Sequence, residues 1–190
     1  MNPIYDWTFP VLWWSWAAYW IISSFRVRPT KRAQSNAARL AYFGEWVLAF
    51  VLLTSHGLSI GWLGTRIVPL TPALFFTGAG ITTAGLGFSV WARVHLGEYW
   101  SGTVTLKKGH RLIRSGPYAL VRHPIYTGLL VAMLGTAVAV DRVRGLLGLA
   151  IIIASLARKL RLEEKWLTEE LGEEYTQYRR EVRALIPAVL

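Results

Sequence analysis

Five long apolar stretches, separated by polar or basic segments, dominate the hydrophobic pattern of this 190-residue chain. They cover residues 8–25, 37–56, 69–94, 125–140 and 145–160. A membrane-spanning helix needs about 20 mostly apolar residues, and the first three stretches reach that length. The last two are shorter and only four residues apart, which predicts a tight helical hairpin and leaves open whether it crosses the bilayer fully. The pattern predicts an all-α integral membrane protein with about five transmembrane helices.

Two of the more polar segments, residues 96–123 and 163–180, have sequence patterns that predict defined structure. Residues 96–123 are too long for a simple connector, and long loops in compact proteins are usually functional or disordered. Within this loop, residues 103–106 favour an extended conformation, and Gly-containing turns follow at residues 108–110 and 115–117. Residues 163–180 predict an amphipathic helix with acidic residues in its first half and basic residues at its end, which suits the helix dipole.

The composition supports a membrane protein and excludes several other classes. Hydrophobic residues make up 53% of the chain and charged residues 17%, against about 25% charged in soluble domains. This hydrophobicity excludes intrinsic disorder. The absence of cysteine excludes a disulfide framework, a cysteine nucleophile and a thiolate metal site. Four of the ten tryptophans lie near the ends of apolar stretches, as in an interfacial aromatic belt: Trp7, Trp20, Trp62 and Trp100.

The basic residues predict the orientation in the membrane. If each stretch crosses once, 18 of the 21 Lys and Arg residues fall on one side, and only Arg66, Arg142 and Arg144 fall on the other. The positive-inside rule then places the N-terminus outside and the C-terminus in the cytoplasm. The net charge of +10 is accounted for by topology and by anionic membrane lipids, so no nucleic acid partner is expected.

A dense group of polar and aromatic residues lies where the long loop leads into the fourth apolar stretch. Pro124 suits the first turn of a helix, where its missing N–H costs nothing. The free N–H groups of that turn, with Arg122 and His123 beside them, predict an anion site. Tyr118 and Tyr126 add aromatic faces. From spacing alone, an interfacial helix start with a snorkelling arginine remains an alternative.

A second charged group lies at the end of the fifth stretch and comprises Arg158, Lys159, Arg161, Glu163 and Glu164. Arg158 and Arg161 share a helix face at i, i+3. The group suits either a stop-transfer basic cluster or a polar wall beside a cofactor. Glu45, within the second stretch, would cost about 2.5–3.5 kcal/mol if unpaired at mid-membrane, so it predicts an ion pair or a wet cavity.

Several short motifs occur in a fixed order over residues 93–187. They are Leu96-Gly97-x-x-Trp100-Ser101, Gly109-His110-x-Leu112-Ile113, Gly116-Pro117-Tyr118, Arg122-His123-Pro124-x-Tyr126-x-Gly128, Glu163-Glu164, Gly172-x-x-Tyr175-x-x-Tyr178 and Ile186-Pro187. Together they resemble the isoprenylcysteine carboxyl methyltransferase family of integral membrane enzymes. The short chain is closer to the compact prokaryotic members, which implies a prokaryotic inner membrane. Phospholipid methyltransferases and membrane sterol reductases share the Arg-His-Pro-x-Tyr element.

The resemblance implies one membrane domain over residues 1–190, with a three-helix part at 1–95 and a catalytic, cofactor-binding part at 96–190. It implies a cytoplasmic pocket for S-adenosylmethionine, formed by the loop before the fourth helix and by the C-terminal helix. The implied cofactor-binding residues are His110, Leu112, Ile113, Gly116, Tyr118, His123, Pro124, Tyr126, Glu163 and Glu164. Arg158 and Arg161 are the catalytic candidates, and no metal is expected.

The implied reaction is methyl transfer to a lipophilic, membrane-dissolved or lipidated substrate, most simply the carboxylate of an isoprenylcysteine-like compound. A carboxylate needs no general base, so catalysis rests on positioning, which supplies about 7–11 kcal/mol. Arg158 or Arg161 would orient that carboxylate. The alternatives are an amine methyltransferase of the phospholipid type, a nicotinamide-dependent sterol-type reductase and a non-enzymatic membrane subunit.

Overall fold

The computed structural model describes residues 3–25, 30–55, 58, 60–69, 71–100, 105–107 and 112–187. Within these ranges the chain is mostly helical, with one short two-stranded ribbon. The helices are α1 (Pro3–Ser24), α2 (Asn36–Thr54), α3 (Pro72–Leu96), α4 (Pro117–Leu120), α5 (Pro124–Val140), α6 (Val143–Leu171) and α7 (Glu173–Glu181). The strands are β1 (Thr30–Ala33) and β2 (Thr105–Lys107), and 3₁₀ turns cover Gly61–Gly64 and Gly97–Tyr99.

Each of the five apolar stretches forms a helix, namely α1, α2, α3, α5 and the first part of α6. Two helical segments in the described part of the chain, Asn36–Thr54 and Pro72–Tyr99, are long and apolar enough to cross a membrane. Helix α5 is apolar but shorter. Five complete crossings remain a prediction from the sequence. The ribbon is an addition to the all-α expectation, and β2 overlaps the segment predicted to be extended.

Helices α3 and α5 pack with their backbones in contact. A Cβ atom added at Gly85 would lie 2.5 Å from the backbone nitrogen of Ala132 and 2.5 Å from the carbonyl oxygen of Gly128. Small residues at such a crossing let two helices approach closely, as is common in membranes. The hydroxyl of Thr82 donates to the carbonyl of Gly78 at 2.9 Å and lies 3.2 Å from the carbonyl of Ala132. This seam forms the rigid centre of the bundle.

Helix α1 is held against the α3–α5 pair by two tryptophans. The indole N–H of Trp13 donates to the hydroxyl of Thr136 at 3.1 Å, and that of Trp16 donates to the hydroxyl of Ser89 at 2.9 Å. A buried indole needs a partner for its N–H, and these two find it across the helix interface. Trp14, one residue from Trp13, is 74% exposed and faces away from the bundle.

The two ends of the bundle are distinct. At one end, the α5–α6 turn is tied to the α2–α3 connection, because the backbone N–H of Val143 donates to the carbonyl of Thr65 at 3.1 Å. Asp141 accepts from the N–H of Val68 there at 3.0 Å. At the other end, β1 pairs antiparallel with β2. The segments after α1 and α3 therefore share one end of the bundle, as the basic-residue distribution requires.

The C-terminal helical region differs from the prediction in its boundaries. Helix α6 runs unbroken to Leu171, because no Gly or Pro interrupts residues 149–171. A 29-residue helix is about 43 Å long, more than the roughly 30 Å of the bilayer core. Gly172, at φ +57°, ends α6 and redirects the chain into α7. The helix predicted over residues 163–180 is thus the end of α6 followed by a separate short helix.

Candidate active site

A cavity of about 400 Å³ lies among α1, α2, α6, α7 and the segment that leads into α5. This volume is within the range of small-molecule sites. Its polar lining residues are Gln34, Arg39, Arg122, His123, Lys159 and Glu163. Its aromatic lining residues are Trp16, Trp20, Tyr42, Phe43, Trp46, Tyr99, Trp100, Tyr118, Tyr126, Trp166, Tyr175 and Tyr178. Seven aliphatic residues complete the wall: Leu96, Leu112, Ile113, Ile125, Leu129, Leu156 and Leu167.

One face of α6 supplies opposite charges to this cavity. Lys159 and Glu163 are four residues apart, so they lie on the same side of the helix. The Tyr126 hydroxyl donates to Oε2 of Glu163 at 2.6 Å. The Lys159 ammonium lies 5.3 Å from the centroid of the Tyr126 ring. The His123 ring stacks parallel to Tyr126 with centroids 5.5 Å apart. A carboxylate, an ammonium and two stacked rings therefore meet on one wall.

Glu164 points to a different set of partners from its neighbour Glu163. Arg122 donates to Oε1 of Glu164 from Nε at 2.8 Å and approaches it with a second nitrogen at 2.6 Å. His123 Nε2 lies 3.2 Å from the same oxygen. Burial opposes the charge of Glu164, but hydrogen bonds and Coulombic attraction from His123 and Arg122 outweigh it and lower its pKa to about 2. Glu164 is thus an internal anion that is already compensated.

The C-terminal segment forms a strap across the start of α5. The backbone N–H groups of Arg122 and His123 donate to the carbonyls of Arg183 and Ala184 at 2.8 and 3.0 Å. The Thr127 hydroxyl donates to the carbonyl of Leu185 at 2.8 Å. On α7, the Tyr178 hydroxyl donates to the carbonyl of Tyr118 at 2.6 Å, and burial raises the pKa of Tyr178 to about 12. The strap and α7 hold the Arg-His-Pro-x-Tyr element in place.

The loop before α4 is positioned by a close contact with α3. Gly116 has φ +59°, and a Cβ atom added there would lie 2.7 Å from Cε1 of His95. The Nε2 atom of His95 lies 2.8 Å from the hydroxyl of Ser115. Both the positive φ and the close ring favour glycine here. This contact sets the direction in which Leu112 and Ile113 approach the cavity.

The structure brings most of the predicted cofactor residues together. Six of them line the cavity: Leu112, Ile113, Tyr118, His123, Tyr126 and Glu163. The other three described residues lie beside the cavity. Pro124 is the first residue of α5, and Gly116 lies in the loop turn against His95. Glu164 lies outside the lining and contacts His123. His110 lies outside the described residues. The anion site expected at the start of α5 already has internal partners. The Arg122 side chain donates to Glu164, and the backbone N–H of His123 donates to the carbonyl of Ala184 in the strap.

The two catalytic candidates do not lie in the cavity lining. Arg158 forms an ion pair with Glu45 across the α2–α6 contact, which identifies the partner that the sequence required for Glu45. Arg161 is exposed on α6. The basic residue of this cluster that lines the cavity is Lys159. Its spacing of four from Glu163 was the available signal, but basic residues at a helix end also serve topology.

Sequence reasoning also missed the aromatic wall. Trp20 and Trp100 were expected in an interfacial belt, but their rings pack edge to face with centroids 5.8 Å apart and line the cavity. Trp7 and Trp62 are 66% and 65% exposed, as belt residues would be. Trp16, which docks α1, lines the cavity as well. A tryptophan near a helix end gives no sign in the sequence of which side it faces.

The polar lining fits a ligand with several hydrogen-bonding groups. Within the described part of the chain, three lining residues carry buried polar atoms that have no hydrogen-bond partner: Oε1 of Gln34, Nε of Arg39 and the hydroxyl of Tyr175. Such orphaned groups are rare in folded proteins and each calls for an explanation. A nucleoside-containing cofactor with an amino-acid portion offers donors and acceptors of the required kinds. The described residues contain no group of three or more His, Asp or Glu that could hold a metal ion.

Comparison with known proteins finds a family that part of this sequence resembles. The sequence profile of the isoprenylcysteine carboxyl methyltransferase family matches residues 79–169. Protein-S-isoprenylcysteine O-methyltransferase of Schizosaccharomyces pombe is 35% identical over 101 residues, which cover 52% of this chain and 43% of that protein. The cobalt-zinc-cadmium resistance protein CzcN of Cupriavidus metallidurans is 29% identical over 159 residues, or 82% of this chain and 68% of that protein.

A shorter match and a solved structure agree with this relationship. Methanethiol S-methyltransferase of a Pseudomonas strain is 44% identical over 71 residues, covering 37% of this chain and 26% of that protein. The structure of the eukaryotic intramembrane Ras methyltransferase ICMT aligns with a TM-score of 0.54 and 22% identity, over 84% of this chain and 55% of that one. At that identity the alignment shows the fold. The matches span about half the length of the fission yeast enzyme and of the solved structure, two thirds of CzcN and a quarter of the Pseudomonas enzyme. Residues 79–169, just under half of the chain, thus resemble the isoprenylcysteine carboxyl methyltransferase family.

Proposed function

We propose that this chain is an S-adenosylmethionine-dependent methyltransferase that methylates an anionic group on a lipophilic substrate, such as the carboxylate of an isoprenylcysteine-like compound. The observation that carries the proposal is the pairing of Glu163 and Lys159 on one wall of an aromatic cavity beside the family's Arg-His-Pro-x-Tyr element. One charge suits a cationic methyl donor and the other suits an anionic acceptor. The match of residues 79–169 to the isoprenylcysteine carboxyl methyltransferase family supports the same reaction class.

The donor half of the proposal rests on Glu163 and the residues around it. S-adenosylmethionine supplies an electrophilic methyl group on a positively charged sulfur. The Glu163 carboxylate and the faces of the lining tryptophans attract a cation. Leu112 and Ile113 provide an apolar surface for a nucleoside. Gln34 and Tyr175 carry the unpartnered polar atoms that would satisfy the cofactor's polar groups.

The acceptor half of the proposal assigns Lys159 as the positioning residue in place of Arg158 and Arg161. A carboxylate acceptor is ionised at neutral pH and needs no base. The Lys159 ammonium would hold one carboxylate oxygen while the other faces the methyl group. Holding the nucleophile in line accounts for most of the acceleration that such a site can provide.

The apolar part of the substrate would enter from the bilayer between helices. Phe43 lines the cavity and is also 67% exposed on the outer face of α2, so the cavity wall continues to the bundle surface there. Trp46 and Leu156 extend the apolar lining inward. A long aliphatic chain is soluble in lipid, and an opening towards lipid avoids transferring it through water.

The membrane arrangement belongs to the same proposal. We propose one membrane domain over residues 1–190 with five crossings, the N-terminus outside and the C-terminus in the cytoplasm, in a prokaryotic inner membrane. The clustering of the basic segments at the ribbon end supports this orientation. The cavity, lined by residues of the long loop and α7, would then open towards the cytoplasm, where the cofactor is made.

Two enzyme alternatives make different predictions at the same cavity. An amine acceptor of the phospholipid type would meet two cationic side chains, Arg39 and Lys159, against one carboxylate that already accepts from Tyr126. This balance disfavours a protonated amine. A sterol-type reductase would bind a nicotinamide dinucleotide in place of S-adenosylmethionine, so cofactor binding separates it directly.

The experiment is methyl transfer from methyl-labelled S-adenosylmethionine by the purified chain in lipid nanodiscs. N-acetyl-S-farnesylcysteine, an alkyl thiol and phosphatidylethanolamine are the acceptors. We expect alkali-labile label on farnesylcysteine, since a methyl ester releases methanol in base. Label on phosphatidylethanolamine alone would support the amine alternative. Lys159→Met should lower kcat/KM for farnesylcysteine roughly 10- to 150-fold, the equivalent of about 1.5–3 kcal/mol for a hydrogen bond to a charged group.

The matched control is Lys165→Met, an exposed lysine on the same helix. It should leave kcat/KM within about 2-fold of the parent. Equal losses of kcat/KM in the two variants would mean that any positive charge on α6 has the same effect. That result would refute the assignment of Lys159 as the residue that positions the acceptor. Binding of S-adenosylhomocysteine should survive both changes.

A further inference from the structure

Helix α7 and the strap after it line a second, open cavity at the surface, separate from the first and about 370 Å³ in volume. Its lining is Arg122, Thr176, Arg179, Arg180, Arg183 and Ala184. Four of these six residues are arginines. We refer to it as the arginine cavity. Arg122 lines both cavities and so forms the wall between them.

The arginines converge because two chain segments are fixed beside each other. Thr176, Arg179 and Arg180 stand at i, i+3 and i+4 on α7 and therefore share a face of that helix. Arg183 follows the helix end, and its carbonyl accepts the backbone N–H of Arg122 at 2.8 Å. Arg122 also donates to the carbonyls of Arg179 and Val182. Residues from α7, the strap and the start of α5 thus meet at one concavity.

The carboxylates near the arginine cavity do not neutralise it. Glu164 Oε2 lies 3.5 Å from Nε of Arg179, but Arg122 binds the other oxygen of the same carboxylate. Glu173 lies 3.7 Å from Arg180, and both side chains are more than 70% exposed, so that pair is weak. Within the described residues, no carboxylate pairs with Arg183. Around this cavity, four arginines are therefore balanced by two carboxylates.

Two simpler explanations account for part of this arrangement. Arg179 and Arg180 in the last turn of α7 complement its dipole, and cytoplasmic segments of membrane proteins are generally basic. Neither explanation calls for Arg183, which lies beyond the helix, to converge with them on a cavity. Planar guanidinium groups bind phosphate oxygens with paired hydrogen bonds, which gives such a cluster a specific ligand class.

We infer that the arginine cavity binds a phosphate group, carried by an anionic phospholipid headgroup or by a small phosphate compound. Ile186, three residues after Arg183, is 48% exposed and would contact acyl chains beside a bound headgroup. Arg122 links the cavity to Glu164 and His123, so a bound phosphate would also brace the strap that walls the first cavity.

The test uses the full purified chain in neutral detergent. The probes are dioctanoyl phosphatidylglycerol, dioctanoyl phosphatidylcholine and inorganic phosphate. The double variant Arg180→Gln, Arg183→Gln removes two charges from the cavity. The control Arg161→Gln, Lys165→Gln removes two exposed charges from α6 outside both cavities. Binding of S-adenosylhomocysteine, measured alongside, reports the first cavity separately, so this inference and the proposed methyltransferase function fail independently.

We expect phosphatidylglycerol to bind the cavity variant roughly 25-fold more weakly than the parent, since a basic residue near an anionic lipid surface contributes about 5-fold in affinity. The control variant should change affinity less than about 2-fold, and phosphatidylcholine should bind weakly throughout. Arginine-dependent binding of inorganic phosphate as well would assign the site to free phosphate compounds, and its absence would assign it to the lipid headgroup. Equal weakening in both double variants, or no weakening in either, would overturn the inference.

Discussion

Replacing Glu164 with glutamine should destabilise the protein more than it changes ligand binding in the first cavity, because Glu164 lies outside that cavity's lining. The folded-state pKa of about 2 lies roughly 2 units below the usual value of about 4.3, which corresponds to about 3 kcal/mol of stabilising interactions. Glutamine keeps the shape but loses the charge that Arg122 and His123 need, and the Arg122 side chain is only 9% exposed. For a chain of this length, 3 kcal/mol lowers the melting temperature by about 6–12 °C.

The neighbouring substitution Glu163→Gln is the matched control, since it makes the same chemical change one residue earlier. Glu163 is 27% exposed and has the Tyr126 hydroxyl as its close partner, so its loss should cost less stability. It should instead weaken S-adenosylhomocysteine binding. Thermal melting and isothermal titration on both variants decide the matter. If Glu163→Gln melts earlier and Glu164→Gln binds more weakly, the division of roles between these two residues is wrong.

The depressed pKa of Glu164 also predicts a pH dependence. A carboxyl group with a lowered folded-state pKa contributes its full stability above the unfolded-state value, about 4.3. That contribution is lost as the pH falls from about 4.3 towards 2. The parent should therefore lose about 3 kcal/mol more than Glu164→Gln over this range, and parallel curves for the two proteins would refute this assignment.

Three further outcomes follow from the packing, the strap and the topology. Gly85→Ala should destabilise the protein by about 1–3 kcal/mol, because the added Cβ would overlap α5. Gly87→Ala is the control and should not destabilise it, because nothing lies within 4 Å of the added Cβ. Similar melting temperatures for the two variants would refute the close crossing of α3 and α5. Deleting residues 173–190 should leave an inserted protein without S-adenosylhomocysteine binding, and undiminished affinity would show that the tail is not a wall. A cysteine at Lys108 should label only from the cytoplasm and one at Thr65 only from outside, while labelling of both from one face would exclude five crossings.

Much of the helical architecture could be predicted from the sequence, because membrane helices are specified by local hydrophobicity. The α5–α6 hairpin and the position of Pro124 in the first turn of α5 follow from local pattern in the same way. The break between α6 and α7 was missed, although Gly172 was the signal. A glycine in an otherwise helical pattern marks either a tolerated interior position or a helix end, and only the structure distinguishes them.

The part of the candidate site that consists of motif residues could be predicted from the sequence, whereas the part that depends on how the helices pack could not. His123, Tyr126 and Glu163 meet as the family resemblance implied. Spacing alone could not decide whether Arg158 or Lys159 faces the cavity, because the side of a helix that faces a cavity depends on how the neighbouring helices pack against it. Glu45 draws Arg158 to α2, and Lys159, one residue or about 100° further round the helix, faces the cavity.

Binding of S-adenosylhomocysteine to the purified parent, measured by isothermal titration beside His123→Ala and Glu163→Gln, tests whether the first cavity holds a methyl donor. We expect saturable one-to-one binding by the parent and a roughly 5- to 150-fold loss in each variant, the equivalent of about 1–3 kcal/mol. Nicotinamide dinucleotides should not compete. A well-folded parent that does not bind S-adenosylhomocysteine, or variants that bind it as tightly as the parent, would contradict the assignment of this cavity as a methyl-donor site.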